Sequence, residues 1–191
     1  MKKIILLTAL LSFVLGLNAQ HISKKCYRGY VDAGYSIGVG DYSFGRFEVN
    51  TSHGYQFSPH FFLGAGLGVH FMSSYETDKS PIPLDVRNNQ VEIPVFANIR
   101  CNFMKAKASP FIDLKCGAFL TEKGNGYIDA SIGCRFSLNQ QQAINLSLGY
   151  VFEMLYFDTF HHFTNASRLD YVRSSRINNT EAVSIKLGFE F

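Results

Sequence analysis

From Thr180 to Phe191 apolar and polar residues alternate without interruption. Side chains of a strand point to opposite faces with period two, so Val183, Ile185, Leu187, Phe189 and Phe191 share one face, and Ser184, Lys186, Gly188 and Glu190 the other. Such a segment fits poorly at the end of an open sheet, where terminal residues fray and an edge is left unpaired. A closed barrel instead pairs its last strand with its first. The stretch therefore predicts closure, and a closed barrel requires partner staves of the same two-faced kind.

Seven are found by the same period: Tyr27–Val39, Phe44–Phe57, Phe61–Phe71, Val91–Phe103, Phe111–Leu120, Tyr127–Leu138 and Ala143–Met154. With the final strand they make eight. Each has an apolar face, such as Phe61, Leu63, Ala65, Leu67, Val69 and Phe71, set against a polar or glycine face, here Gly64, Gly66, Gly68 and His70. His53 interrupts the apolar face of the second. Lengths near 9 to 13 residues suit a tilted bilayer crossing better than the ~5 or 6 usual in soluble sheets.

Two arguments turn the apolar faces outward. The interior of an eight-stranded barrel is only just wide enough for side chains, so glycines and compact polar groups fit there and the bulky apolar set does not. The polar faces also carry Arg28, Arg46, Arg100, Lys115, Arg135 and Lys186 beside Asp32, Glu48, Glu92, Asp113, Asp129, Glu153 and Glu190. Nearly balanced opposite charges can pair in a narrow lumen, as buried charges must. Tyr27, Phe57, Phe61, Phe103, Phe136 and Phe189, near strand ends, fit an interfacial aromatic girdle.

The connections give independent support. Turns after the second, fourth and sixth strands are short (Ser58–His60, Met104–Pro110, Asn139–Gln142), as are those after the first and fifth. The gaps Met72–Gln90 and Leu155–Asn179 are long, and an even strand count puts both on the extracellular side when the termini are periplasmic.

The N-terminus has a basic start, Met1-Lys2-Lys3, an apolar run from Ile4 to Leu17 and a small-residue cleavage site at Leu17-Asn18-Ala19. This predicts a signal peptide over 1–19 and a single barrel domain over 20–191. No small residues precede Cys26 as a lipid anchor would require. Charged residues are 17%, below the ~25% typical of soluble domains, and aromatics are 15%. The net charge of +3 is too small and dispersed for a nucleic-acid partner. Rossmann, P-loop and zinc-binding patterns are missing.

The segments Phe61-Phe62-Leu63-Gly64-Ala65-Gly66-Leu67-Gly68, Ile93-Pro94-Val95-Phe96-Ala97-Asn98-Ile99-Arg100, Ser109-Pro110-Phe111-Ile112-Asp113, Asn145-Leu146-Ser147-Leu148-Gly149-Tyr150 and Ile185–Phe191 resemble the small outer-membrane β-barrel proteins of the Bacteroidota type, which share the architecture of OmpA and OmpX. The resemblance spans most of residues 20–191. It implies an eight-stranded up-and-down transmembrane barrel in the outer membrane, inserted by the barrel-assembly machinery through a C-terminal aromatic such as Phe191. It brings no catalytic, cofactor-binding or metal-binding residues.

Several features suggest chemistry. Cys101, Cys116 and Cys134 fall on outward positions of neighbouring strands. Mirroring the hairpins sets Cys101 near Phe111 and Cys134 near Leu114, so Cys116 and Cys134 are at best diagonal, and free thiols are expected. His161 and His162 are adjacent and point apart, with no ligand set to complete a metal site. His162-Phe163-Thr164-Asn165-Ala166 resembles the His-x-Ser-Asn-Ala segment of outer-membrane lipid A deacylases, with Thr164 in the serine position and Glu181 or Glu190 as the acid. A secreted lipocalin-like carrier is the other alternative, with the apolar faces turned inward around a ligand. The expected function is a monomeric, non-enzymatic structural or surface-interaction barrel without cofactors. Its last long loop offers Arg168, Arg173, Arg176 and aromatic residues to lipopolysaccharide phosphates or another surface partner.

Overall fold

The computed structural model describes residues 26–77, 84–122, 124–139, 141–165 and 168–191, with side chains described except at 84 and 160–173. The signal peptide expected over 1–19 lies outside these residues. Among them every regular element is a strand: β1 (Cys26–Val39), β2 (Gly45–Gln56), β3 (Phe61–Met72), β4 (Tyr75–Glu76), β5 (Leu84–Arg87), β6 (Gln90–Glu92), β7 (Pro94–Asn102), β8 (Ala108–Phe119), β9 (Gly124–Ser137), β10 (Ala143–Asn165) and β11 (Arg168–Glu190). Antiparallel pairing runs β1-β2-β3-β7-β8-β9-β10-β11 and returns from β11 to β1, with Tyr30 opposite Glu190 and Val39 opposite Glu181. The result is a closed eight-stave barrel, in which β6 and β7 together pair with β3 and the β4–β5 hairpin is an addition. Phe191 completes the seam, exchanging both backbone hydrogen bonds with Gly29 at 2.8 and 2.9 Å.

The apolar faces point out. Leu187, Ile185, Leu148, Ile132, Leu67 and Ile37 are all more than half exposed, while Lys186, Asp129, Glu153 and Glu48 are buried inside. Water would not sustain such a skin, whereas hydrocarbon would, and closure leaves no unpaired backbone edge along the membrane-level wall. A lipocalin-like carrier needs the opposite arrangement and is overturned by these exposures. Tyr27, Phe57, Phe61, Phe103, Phe136 and Phe189 stand exposed around the end that carries the short turns, where the girdle is expected.

Three expectations are corrected. The fourth stave is broken into β6 and β7 at Ile93, because Pro94 has no N–H to give to the ladder. Leu155–Asn179 is not an open loop: β10 and β11 stay paired from Ala143↔Glu190 to Asn165↔Arg168. Membership of the barrel wall ends near Leu155 on β10, the last residue paired with β9, and near Glu181 on β11. Beyond that level the hairpin continues for about ten residues per strand, roughly 30 Å of ribbon. Its sequence keeps no sustained polar–apolar alternation, although Leu155, Phe157 and Thr159 on β10 are buried at the mouth.

The third correction is one of register. Cys134 lies opposite Pro110, and Cys116 opposite Ile128, because β8 and β9 begin earlier than their alternation suggests and meet across a tighter turn. Cys116 and Cys134 are therefore about six residues apart along the hairpin, near 20 Å, and all four cysteines are free thiols.

Candidate functional site

The inward faces converge on one ion-paired lumen. Near the short-turn end, Glu190 takes Arg135 in a two-pronged pair at 2.5 and 2.9 Å and Arg28 at 3.3 Å. Arg28 also donates to the Gln141 carbonyl at 2.6 Å. Above this, Asp113 receives Arg100 at 3.1 Å and Asn98 at 2.7 Å, and the Arg100 guanidinium lies between the rings of Tyr30 and Phe111, at 4.1 and 4.3 Å. At mid-height two lysines point inward. Lys115 binds Asp32 at 2.5 and 3.0 Å and stands 3.9 Å from Asp129, while Lys186 binds Asp129 and approaches Glu48 at 3.7 Å.

Higher still, His70 sits between two carboxylates, 3.4 Å from Glu48 and 3.6 Å from Glu153, and Arg46 reaches Glu153 at 3.2 Å. The pairs thus occupy successive levels from one mouth toward the other. In so narrow a space charges survive burial only when partnered this way, since an isolated ion would cost several kcal/mol.

Aromatic rings fill the space between the ions, a feature the alternation did not indicate. Tyr30, Phe62, Phe96, Phe111, Phe119 and Tyr127 are buried, with Phe119 and Tyr127 edge-on to His70. Inward glycines provide their seats. A Cβ on Gly64 would come within 2.6 Å of the Phe62 ring, one on Gly66 within 2.6 Å of Phe96, and one on Gly133 within 2.7 Å of Phe111. The available signal was an aromatic on the polar parity of a strand, directly opposite a glycine for Phe96 and Phe111 and two residues along the same strand from one for Phe62.

A flap closes the far mouth. The segment after β3 forms the β4–β5 hairpin, and β5 pairs with β10 through Asp158↔Val86 and Thr159↔Asp85. Four pairing steps separate β3 from β10 around the barrel, so the flap crosses the opening. Arg87 descends from it, only 2% exposed, and donates to Glu92 at 2.6 Å and to the Tyr156 carbonyl at 2.9 Å. Thr121 donates to the other Glu92 oxygen. Tyr42, Phe44, Tyr75 and Phe157 cluster above, and Asp85 accepts from Tyr42 at 3.0 Å and from Thr159 at 2.6 Å. Burial first, and then the Asp85 carboxylate, push the Tyr42 hydroxyl well above its ordinary range, so it remains a donor.

Arg87 also completes the lumen's charge balance. The inward alternation contributes six cations and seven carboxylates, and the flap supplies the seventh cation. A long gap in the sequence concealed this residue because nothing local marks one arginine in a connection as destined for the interior.

Both acids weighed for the deacylase resemblance are engaged elsewhere. Glu181 lies opposite Phe152 and accepts from Tyr150 on the outer wall, and Glu190 is committed to Arg28 and Arg135 at the other mouth. His162 and Thr164 belong to the projecting ribbon, ten positions or more along β10 from Phe152, and Ala166 lies outside the described residues. The side chains of His161 and His162 are likewise not described. Among the described residues no group of three or more metal-ligating side chains converges.

No family model matches the chain, and no curated protein matches it. Among solved structures it is similar to the outer membrane protein OprG from Pseudomonas aeruginosa, at 11% identity and TM-score 0.48 over 88% of this chain and 98% of that one. It is also similar to Neisserial surface protein A, at 12% identity and TM-score 0.45 over 86% and 95%, and to outer membrane protein W of E. coli, at 9% identity and TM-score 0.42 over 90% and 100%. Judged by its own skin, seam and lumen, the chain is an outer-membrane β-barrel.

Proposed function

We propose that this protein is a closed, non-enzymatic barrel that serves the outer membrane as a structural and surface-interaction element, presenting the β10–β11 hairpin outside the cell. The observation that carries the reading is the filled lumen: seven cations against seven carboxylates, packed with rings and capped by Arg87. A solute would have to break several buried ion pairs at once, and each partner so abandoned costs about 3–5 kcal/mol. The arrangement supports a wall and a platform rather than a passage.

The short turns belong on the periplasmic side in this reading, and the flap and hairpin on the extracellular side. Arg168, Arg173 and Arg176 on the β11 half of the hairpin suit contact with anionic groups such as lipopolysaccharide phosphates. Further parts of the proposal are a signal peptide over 1–19, insertion by the barrel-assembly machinery, a monomeric state and membership of the Bacteroidota-type barrels. These rest on the sequence features given above.

Planar-bilayer recording tests the central claim. The folded chain should give no steady porin-like current, and Arg87→Ala, which unlatches only the flap, should leave it closed because the lower ion pairs remain. Large, steady wild-type currents would refute the closed lumen.

A further inference from the structure

Above the rim the two edges of the β10–β11 hairpin differ. The β10 edge is covered at Asp158–Phe160 by β5, a short strand arriving from another part of the chain. The β11 edge is covered by β1 only as far as Val39↔Glu181, and among the described residues no strand pairs with it beyond that point. Its bonding direction follows from the seam. Gly29 and Phe191 exchange both backbone hydrogen bonds, so Phe191 and every second residue before it turn N–H and C=O toward β1, and the β11 residues between them turn theirs toward β10. Pairing to both neighbours runs without a register shift. Leu169, Tyr171, Arg173, Ser175, Ile177 and Asn179 therefore direct donors and acceptors off the bare edge, over about 35 Å.

This edge lacks the usual defences. Exposed edges are blunted by prolines, lysines, bulges or a covering segment. Residues 168–180 contain no proline, glycine or lysine, and strand-forming residues recur at Leu169, Tyr171, Val172, Ile177 and Thr180. Charge along the edge is one-sided, with Arg168, Arg173 and Arg176 against Asp170 alone. Ser175, Arg176, Ile177 and Asn179 are all exposed.

We propose that the free edge of β11 binds an extended, acidic polypeptide segment as an added strand. A row of alternating N–H and C=O groups is matched by the complementary row of another strand, whereas a lipid phosphate offers acceptors and leaves the carbonyls of the row unmet. The opposite edge supplies an internal precedent, since Leu84, Asp85 and Val86 of β5 join the same ribbon by this pairing. Carboxylates on the incoming segment meet the arginine excess. A second copy of this chain brings the same excess and repels it. The inference rests on the outward presentation of the hairpin proposed above, and names the kind of partner that the hairpin takes.

The test uses the full chain in phosphatidylcholine nanodiscs and a fluorescent peptide of alternating valine and glutamate, with binding read by anisotropy. This peptide should bind about tenfold more tightly than the same peptide N-methylated throughout, which cannot donate, and than its lysine counterpart, a difference of about 1.4 kcal/mol. Ile177→Pro removes an outward N–H and spares the bonds to β10, as edge positions allow, and should weaken binding about tenfold. Arg176→Glu, an exposed change, should do the same and keeps the test decisive if Ile177→Pro fails to fold. Leu148→Ala on the lipid-facing wall should leave binding intact. Absence of binding, equal binding of the methylated or lysine peptide, or an affinity unchanged by both edge substitutions would overturn the assignment. Capture of purified lipopolysaccharide in place of the peptide would overturn it as well, giving the hairpin to lipid. Presentation is read separately on intact cells, where Ser175→Cys should react with a membrane-impermeant maleimide above the background of the native thiols. No labelling there would instead overturn the surface reading beneath the proposal.

Discussion

β10 and β11 are each 23 residues long, and their lower and upper parts show what an environment does to a strand. Below the rim, Ile144, Leu146, Leu148 and Tyr150 face out while Asn145 and Glu153 are buried, because lipid lies on one side and paired charges on the other. Above the rim the same pairing continues through Asn165↔Arg168, with Phe157 and Thr159 still buried at the mouth, and the sequence beyond them no longer alternates. Backbone hydrogen bonding is common to both parts, whereas a lipid-facing side belongs only to the lower one. The lower parts should therefore be intolerant of change and the upper parts permissive.

The largest expected effect comes from cutting the seam. Deleting Phe189–Phe191 removes the residues opposite Val31, Tyr30 and Gly29, including both bonds between Phe191 and Gly29, and strands part of β1 unpaired in lipid at several kcal/mol per backbone group. The truncated protein should lose the heat-modifiable folded band in outer-membrane fractions. A persisting folded band would show that β11 is not the closing stave.

A smaller effect is expected from one buried charge. Lys186→Met leaves Asp129 and Glu48 without a partner each now has, a loss of about 3–5 kcal/mol. Denaturant unfolding in lipid vesicles should register this as a lower midpoint with the folded band retained. An unchanged midpoint would mean that water, rather than Lys186, already satisfies these carboxylates.

The smallest effect is expected above the rim. Replacing residues 161–172 with a two-residue turn leaves the β5 pairing at Asp158 to Phe160 in place and should move the midpoint by less than about 1 kcal/mol. If the barrel then fails to assemble, the hairpin is part of the folding unit and the contrast between the two regions does not hold.

Much of the barrel was legible because its strongest rule is local. Period-two alternation identified eight staves, their outward faces and the inward charges from Arg28 to Glu190, and the final strand's pattern required closure. The same rule was silent where the sequence drops its polar–apolar alternation, so the β10–β11 ribbon resembled a loop. It was also silent on registry, since a hairpin's turn length and not its pattern decides that Cys134 meets Pro110. Of the candidate site, the inward ions were legible as a set but not as pairs.

By itself, then, the sequence determined the strand count, the inside and outside of the wall, and a lumen short of one positive charge. Only the tertiary structure decided that Arg87 supplies that charge, that Phe62, Phe96 and Phe111 sit over glycines, and that the Tyr35 hydroxyl lies over Gly45. The physical reason is distance along the chain. Alternation is enforced residue by residue by the two sides of one strand, whereas contacts across the lumen and the mouth join residues that meet only once closure has set the barrel's width and stagger.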